Sequence, residues 1–395
     1  MRATASHDAL KASSATPFRL IFDAVLADPR DVLSRYQGSL GLLRSNPQFG
    51  SLASLRKILG DSSVRQQTSS ASLANCETRS AGTAPAESSL TVQPRAGAVL
   101  ALQDYPRPSG DNGRGIHWVP TTSCSKETVD RFVGEAADMK MKWAVFLNDG
   151  TKTGDNDYLV ERLVANDIMP IMRIYTPPGA PLKGDIEGLV SHYTKKGVPY
   201  FQLFNEPNLT AENAGAPPDV QRYLDDWIPA AKRVAAAGGL PGLGALSPGG
   251  DMDDREFLRQ AIEGIKARGE ENILNGAWIS MHNYSDAGTG NPGQDAGYLR
   301  FRDYDAIVRP RLGRSLPIIG TEGGNPPQQA AGAAHAKSVA QAYQYMTESE
   351  PYYFAYSYWI IANEEGGGHD PAFQKHALFQ QGSVSPIVQA LKNLS

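Results

Sequence analysis

From about residue 110 onward, short apolar runs alternate with longer stretches in which apolar positions recur three and four apart. The short runs are GIHWV (115–119), WAVFL (143–147), MPIMRIY (169–175), YFQLFNEP (200–207), GLGALSP (242–248), AWISMHNY (277–284), LPIIGTEG (316–323) and FAYSYWI (354–360). Near-continuous apolar character suits strands buried on both faces, as in a parallel sheet. The stretches between them read as amphipathic helices. Glu127 to Lys140 puts Val129, Phe132, Val133 and Ala136 on one face, and Leu159, Val160, Leu163 and Val164 do the same after Asp157. Asp157, Asp185, Asp219 and either Asp253 or Asp254 stand where a side-chain oxygen can satisfy the first free N–H groups of a helix. Gly269 stands where a left-handed exit is needed.

Eight such units in roughly 280 residues predict an α/β fold of the (β/α)₈ TIM-barrel kind, which typically takes about 250 residues. An open doubly wound sheet is the rival. No G-x-G-x-x-G follows the first run, and acidic residues end the fourth and seventh runs. Both points favour the barrel, whose strand ends converge on one site.

The first 97 residues have a different texture. Residues 1–60 carry helix-like spacing, as in Leu20, Ile21, Ala24 and Val25, punctuated by Pro29 and Pro47, and predict a helical extension. Residues 61–97 are rich in Ser, Thr, Ala and Gln and predict a low-complexity linker, because so few apolar groups cannot offset chain entropy. Residues 98–395 form the expected catalytic domain. No signal peptide is recognisable at the N-terminus, and no apolar run is long enough to span a membrane. Localisation stays open, with an extracellular site compatible with the substrate class reached below.

Composition narrows the chemistry. The 38 basic and 42 acidic side chains give a net charge of −4, which is no footprint for nucleic acid. Cys76 and Cys124 lack C-x-x-C partners and read as free thiols. The segment SDAGTGNPGQDAG after the sixth run lacks the Lys-Ser/Thr of a phosphate loop, and no metal or cofactor is expected. The fourth run ends in Asn205-Glu206-Pro207 and the seventh in Thr321-Glu322-Gly323. In a barrel, these strand ends lie on opposite sides of one pocket. Two carboxylates facing each other across a sugar are the equipment of glycosidic hydrolysis: one protonates the leaving oxygen, and the other attacks or activates water.

This pattern resembles glycoside hydrolase clan A, with families 5 and 39 the most similar. The resemblance covers about Gly110 to Ser395. It rests on Asn205-Glu206-Pro207, on Gly320-Thr321-Glu322, on His282-Asn283-Tyr284 and on Trp359. It implies a retaining, β-glycan-cleaving enzyme with a poly- or oligosaccharide substrate. Glu206 is then the acid/base and Glu322 the nucleophile, with Asn205 on the sugar 2-hydroxyl. Tyr284 positions Glu322, His282 lies beside the acid/base, and Trp359 offers a face to a pyranose ring. Arg173 departs from the family 5 pattern, in which the supporting Arg ends an earlier strand. His117, Trp118 and Asn148 are further candidates for the pocket lining. Two other functions compete. A catalytically idle barrel that binds carbohydrate or protein is disfavoured by the joint presence of these residues. A metal-dependent barrel hydrolase lacks its His-x-His, because the first strand ends His117-Trp118-Val119.

Overall fold

The computed structural model describes residues 98–285, 296–324, 332–363 and 373–394. The expected helical extension and linker lie outside the described residues, as do Cys76, Glu364, Glu365 and most of the glycine-rich loop. Eight parallel strands close into a barrel in sequence order. They are β1 (Arg114–His117), β2 (Trp143–Asp149), β3 (Met169–Tyr175), β4 (Tyr200–Leu203), β5 (Leu240–Leu246), β6 (Trp278–Tyr284), β7 (Ile318–Gly324) and β8 (Tyr353–Tyr358). Around them run α1 (Lys126–Asp138), α2 (Asp157–Ala165), α3 (Ile186–Thr194), α4 (Val220–Ala236), α5 (Asp254–Ala267), α6 (Arg300–Leu312) and α7 (Gly332–Tyr345). Three two-residue strands, β9 (Ala362–Asn363), β10 (Phe379–Gln380) and β11 (Ser383–Val384), form a separate small sheet before α8 (Pro386–Lys392). The fold is therefore the expected TIM barrel. No helix of the described residues is long and apolar enough to cross a membrane.

Local signals account for much of this. Asp185 accepts from Gly188 N–H, Asp219 from Gln221 and Arg222, and Asp253 from Arg255 and Glu256, so each caps its helix. Asp254 is instead buried in the first turn of α5 and accepts from the Tyr304 hydroxyl at 2.8 Å. Asp157 is already inside α2, with Asn156 at the cap position. The fourth apolar run is shorter as a strand than its sequence predicts. β4 stops at Leu203 because Phe204 and Glu206 adopt positive φ, 62° and 38°, which no strand pairing accommodates. Cys124 is a free thiol, and burial pushes it up to about 11.

The barrel floor is aromatic. Trp143, Tyr200 and Trp278 meet inside it with ring centroids 5.7 Å apart for Trp143–Tyr200 and for Tyr200–Trp278. Residues just before β1 seal this end. Leu100 and Tyr105 are buried in the same cluster, Leu100 N–H donates to Asn275 O at 2.9 Å, and the Tyr105 hydroxyl donates to Ala277 O at 2.8 Å. A truncation pair tests the domain boundary. Deleting residues 1–97 should leave a cooperatively folding domain. Deleting residues 1–105 removes two buried side chains worth about 2–5 kcal/mol each. It should lower Tm by more than about 5 °C in a thermal melt. Equal melting of the two truncations would show that the floor does not need this segment.

Candidate active site

Inward and outward side chains alternate along each strand, so the residues facing the barrel axis form layers. Above the aromatic floor lies a polar layer. Ser280 Oγ donates to Gln202 Oε1 at 3.3 Å and shares a 2.8 Å hydrogen bond with Thr321 Oγ1. Arg173 on β3 pairs in register with Gln202 on β4 and is buried beside them. These polar side chains carry the upper layer, where Glu206, His282, Tyr284 and Glu322 meet.

Glu206 sits just past β4, in a backbone that three left-handed residues shape: Phe204 (φ 62°), Glu206 (φ 38°) and Ala245 (φ 60°). Such conformations cost an L-residue roughly 1–2 kcal/mol each, and surrounding contacts must hold them. One of those contacts is visible, because Glu206 N–H donates to Ala245 O at 3.0 Å. A register shift between Gly244 and Leu246 in β5 lies at the same level. The Glu206 side chain is 1% exposed, and its Oε1 lies 2.7 Å from His282 Nδ1.

Glu322 lies on β7, directly paired with His282 on β6 after a shift in register at Met281. It is 7% exposed. Three groups converge on it. The Tyr284 hydroxyl donates to Oε2 at 3.0 Å, Arg173 donates to Oε1 at 3.4 Å, and His282 Nδ1 lies 3.5 Å from Oε2. Arg173 therefore reaches Glu322 from β3. The guanidinium and phenol fix both carboxylate oxygens, and His282 stands between the two glutamates.

The remaining candidates separate into lining and support. His117 ends β1 fully buried, with Nδ1 against its neighbour's carbonyl, Trp118 O, at 3.1 Å. Burial holds its imidazole well below the ordinary value, and Arg173 and His282 push the same way, so it is neutral. Nδ1 must then carry the proton, since a carbonyl only accepts. The Trp359 ring packs edge-on over His117 at 4.2 Å and against Phe373 at 5.8 Å, which leaves it 5% exposed. Trp118 is not in the lining. It follows the end of β1, points outward and packs on Phe132 of α1. Asn148 is also a framework residue. Its amide donates to Gly150 O and Lys152 O at 2.9 Å each, and its Oδ1 accepts from Asn156, so its polar atoms are spent on the β2 loop. Asn205 turns away from the glutamates, and its Nδ2 donates to Glu212 Oε1 at 2.6 Å.

Sequence reasoning missed Gln202, Ser280 and Glu212. Ser280 carried a usable signal, since it lies two residues before His282 on the same strand and so shares its inward face. Glu212 carried none, because it reaches Asn205 through a loop. Among the described residues, no group of three or more His, Cys, Asp or Glu is placed to hold a metal ion.

No family model and no curated protein matches the chain. Several solved structures resemble it. One is a family 39 glycoside hydrolase from the gut symbiont Bacteroides cellulosilyticus WH2, with 16% identity and a TM-score of 0.49 over 72% of this chain and 63% of that one, so this chain spans under two thirds of it. Another is a family 128 (subgroup II) endo-β-1,3-glucanase from Pseudomonas viridiflava, with 16% identity and a TM-score of 0.47 over 72% of this chain and 98% of that one. A third is an endo-β-1,4-glucanase from Xanthomonas axonopodis pv. citri, with 13% identity and a TM-score of 0.47 over 71% and 97%.

Proposed function

We propose that residues 98–395 are a retaining glycoside hydrolase that cleaves a β-linked glycan internally, with Glu206 as acid/base and Glu322 as nucleophile. One observation carries the reading. A single atom, His282 Nδ1, lies 2.7 Å from Glu206 Oε1 and 3.5 Å from Glu322 Oε2. Those two distances cap the oxygen–oxygen separation at about 6.2 Å, against roughly 5–5.5 Å for retaining pairs and 6.5–9.5 Å for inverting ones. An upper bound below the inverting range for this pair of oxygens supports retention.

Two proton transfers flank the covalent step. Glu206 delivers its proton to the glycosidic oxygen while a Glu322 oxygen attacks the anomeric carbon, and the leaving chain departs as an alcohol. The resulting ester is opened by water, whose proton returns to Glu206 as Glu322 is released. Tyr284 and Arg173 hold Glu322 at the attacking angle, which is where orientation supplies rate. His282 donates to or accepts from Glu206 as that group changes charge.

A panel of β-glucan, mannan, xylan and galactan, with the corresponding aryl β-glycosides, tests this. At least one should be cleaved, with activity surviving EDTA and the β-anomer appearing first by proton NMR. An α-anomer first would overturn retention, and an inert protein across the panel would overturn the hydrolase reading itself.

A further inference from the structure

β6 lies between two places where the pairing of the barrel slips, and each slip adjoins one of the glutamates. Against β5, Gly244 pairs with Ser280 and Leu246 with Met281, so Ala245 is passed over. Against β7, Met281 pairs with Gly320 and His282 with Glu322, so Thr321 is passed over. The residue passed over on β5 is the one whose carbonyl receives Glu206 N–H, and the one passed over on β7 immediately precedes Glu322. An added residue in one strand bends it and re-aims its side chains. Both carboxylates therefore depend on backbone that strand pairing alone does not hold.

One chain of hydrogen bonds joins these irregular segments. Thr321 Oγ1 and Ser280 Oγ lie 2.8 Å apart, Ser280 Oγ lies 3.3 Å from Gln202 Oε1, and Gln202 Nε2 donates to Phe204 O at 3.3 Å. The direction of each bond is set by what can accept. Phe204 O is a carbonyl, so the Gln202 amide presents its nitrogen there and its oxygen to Ser280. Ser280 has a single hydroxyl hydrogen and gives it to that oxygen, so Thr321 supplies the hydrogen between the two hydroxyls. Thr321 Oγ1 also reaches Met281 O at 3.3 Å, across its own gap in the pairing. Phe204, at the far end, is one of the left-handed residues that shape the turn of Glu206. Gln202, Ser280 and Thr321 are each at most 1% exposed. Hydrogen bonds shielded from water are strengthened, and a fully paired network of them is rigid.

We propose that Thr321, Ser280 and Gln202 are positioning residues: a spacer of fixed length that ties the turn carrying Glu206 to the slip beside Glu322 and so sets the distance between the two carboxyl groups. None of the three needs to touch the sugar. The effect on rate rests on the hydrolase reading; the effect on geometry does not. Reaction at the anomeric carbon is sensitive to that distance, because a misplacement of about 1 Å can cost roughly 10²-fold.

Thr321→Val keeps the shape of the side chain and removes its hydrogen. On a substrate found in the panel above, kcat should fall about tenfold or more while KM moves less than about threefold. Thr321→Ser keeps the hydroxyl and should recover most of that loss. Ile279→Val, a core change on the outward face of β6, controls for general loosening and should leave kcat within about twofold of the parent. Gln202→Met cuts the far end of the same chain. Combined with Thr321→Val it should lose little more than either change alone, since a spacer cut once no longer holds. Losses that multiply, a Thr321→Val loss carried by KM, or an equal loss in the Ile279→Val control would each overturn the spacer. A crystallographic comparison needs no turnover. The separation of the nearest Glu206 and Glu322 carboxyl oxygens should differ between Thr321→Val and the parent by about 0.5 Å or more, the tolerance within which a reacting constellation must be held. An unchanged separation overturns the proposal whatever the protein cleaves. If Thr321→Val does not fold, Gln202→Met carries the same comparisons. A parent inert across the panel sinks the hydrolase reading by itself, and the crystallographic distance still judges the spacer.

Discussion

Glu322→Ala is expected to abolish turnover of every glycoside that the parent cleaves, with kcat/KM down at least about 10⁴-fold, or ~5.5 kcal/mol of transition-state stabilisation. The size follows from the chemistry. In the proposed mechanism the ester forms on Glu322, and the substitution removes its carboxylate. Arg173 and Tyr284 then face a void where two donors previously met a carboxylate. Azide is small enough to enter that void. It should attack the anomeric carbon from the vacated face and give an inverted α-glycosyl azide with an aryl substrate. The product is read by NMR. A β-azide from this variant would exchange the roles of the two glutamates, and unchanged hydrolysis would end the proposal.

Glu206→Ala should behave differently on different leaving groups. With natural glycan, loss of the general acid should slow cleavage by roughly 10²–10⁴-fold. A dinitrophenyl group leaves without protonation, so its first step should survive and the ester should accumulate. A burst of phenolate followed by slow turnover is the expected trace. Azide needs no general base. It should therefore rescue the second step and give a β-azide, with configuration retained. Absence of a burst on the activated substrate would argue against a covalent intermediate.

The eight strands were legible because burial on both faces writes a nearly unbroken apolar run. Helix starts were legible wherever an Asp side chain does the capping, as at Asp185, Asp219 and Asp253. Where Trp118 and Asn205 come to lie is a matter of side-chain direction. Trp118 and Asn205 follow the ends of β1 and β4: Trp118 packs on Phe132, and the left-handed backbone at Phe204 and Glu206 leaves Asn205 bonded to Glu212 and Glu206 bonded to His282. Within β6, strict alternation puts Ser280 on the same inward face as His282. What no pattern reveals is the left-handed turn at Phe204 and Glu206. Nothing in Phe-Asn-Glu-Pro announces positive φ, since these residue types disfavour it or tolerate it only as single exceptions. The conformation is imposed by the neighbouring strand through Ala245. Glu212 likewise meets Asn205 only through a loop.

The aromatic floor has a kinetic corollary. With Trp143, Tyr200 and Trp278 filling the barrel and Leu100 and Tyr105 beneath them, traffic to the glutamates passes through the opposite mouth alone. Under a two-step mechanism the departing chain and the incoming water share one door. A chain that lingers there competes with water for the ester, and its free hydroxyl is as good a nucleophile. If the chain is the retaining hydrolase proposed, the plugged end would then bias it toward resealing bonds when leaving segments are long or abundant, with the balance of hydrolysis against sugar transfer set by queueing at the mouth.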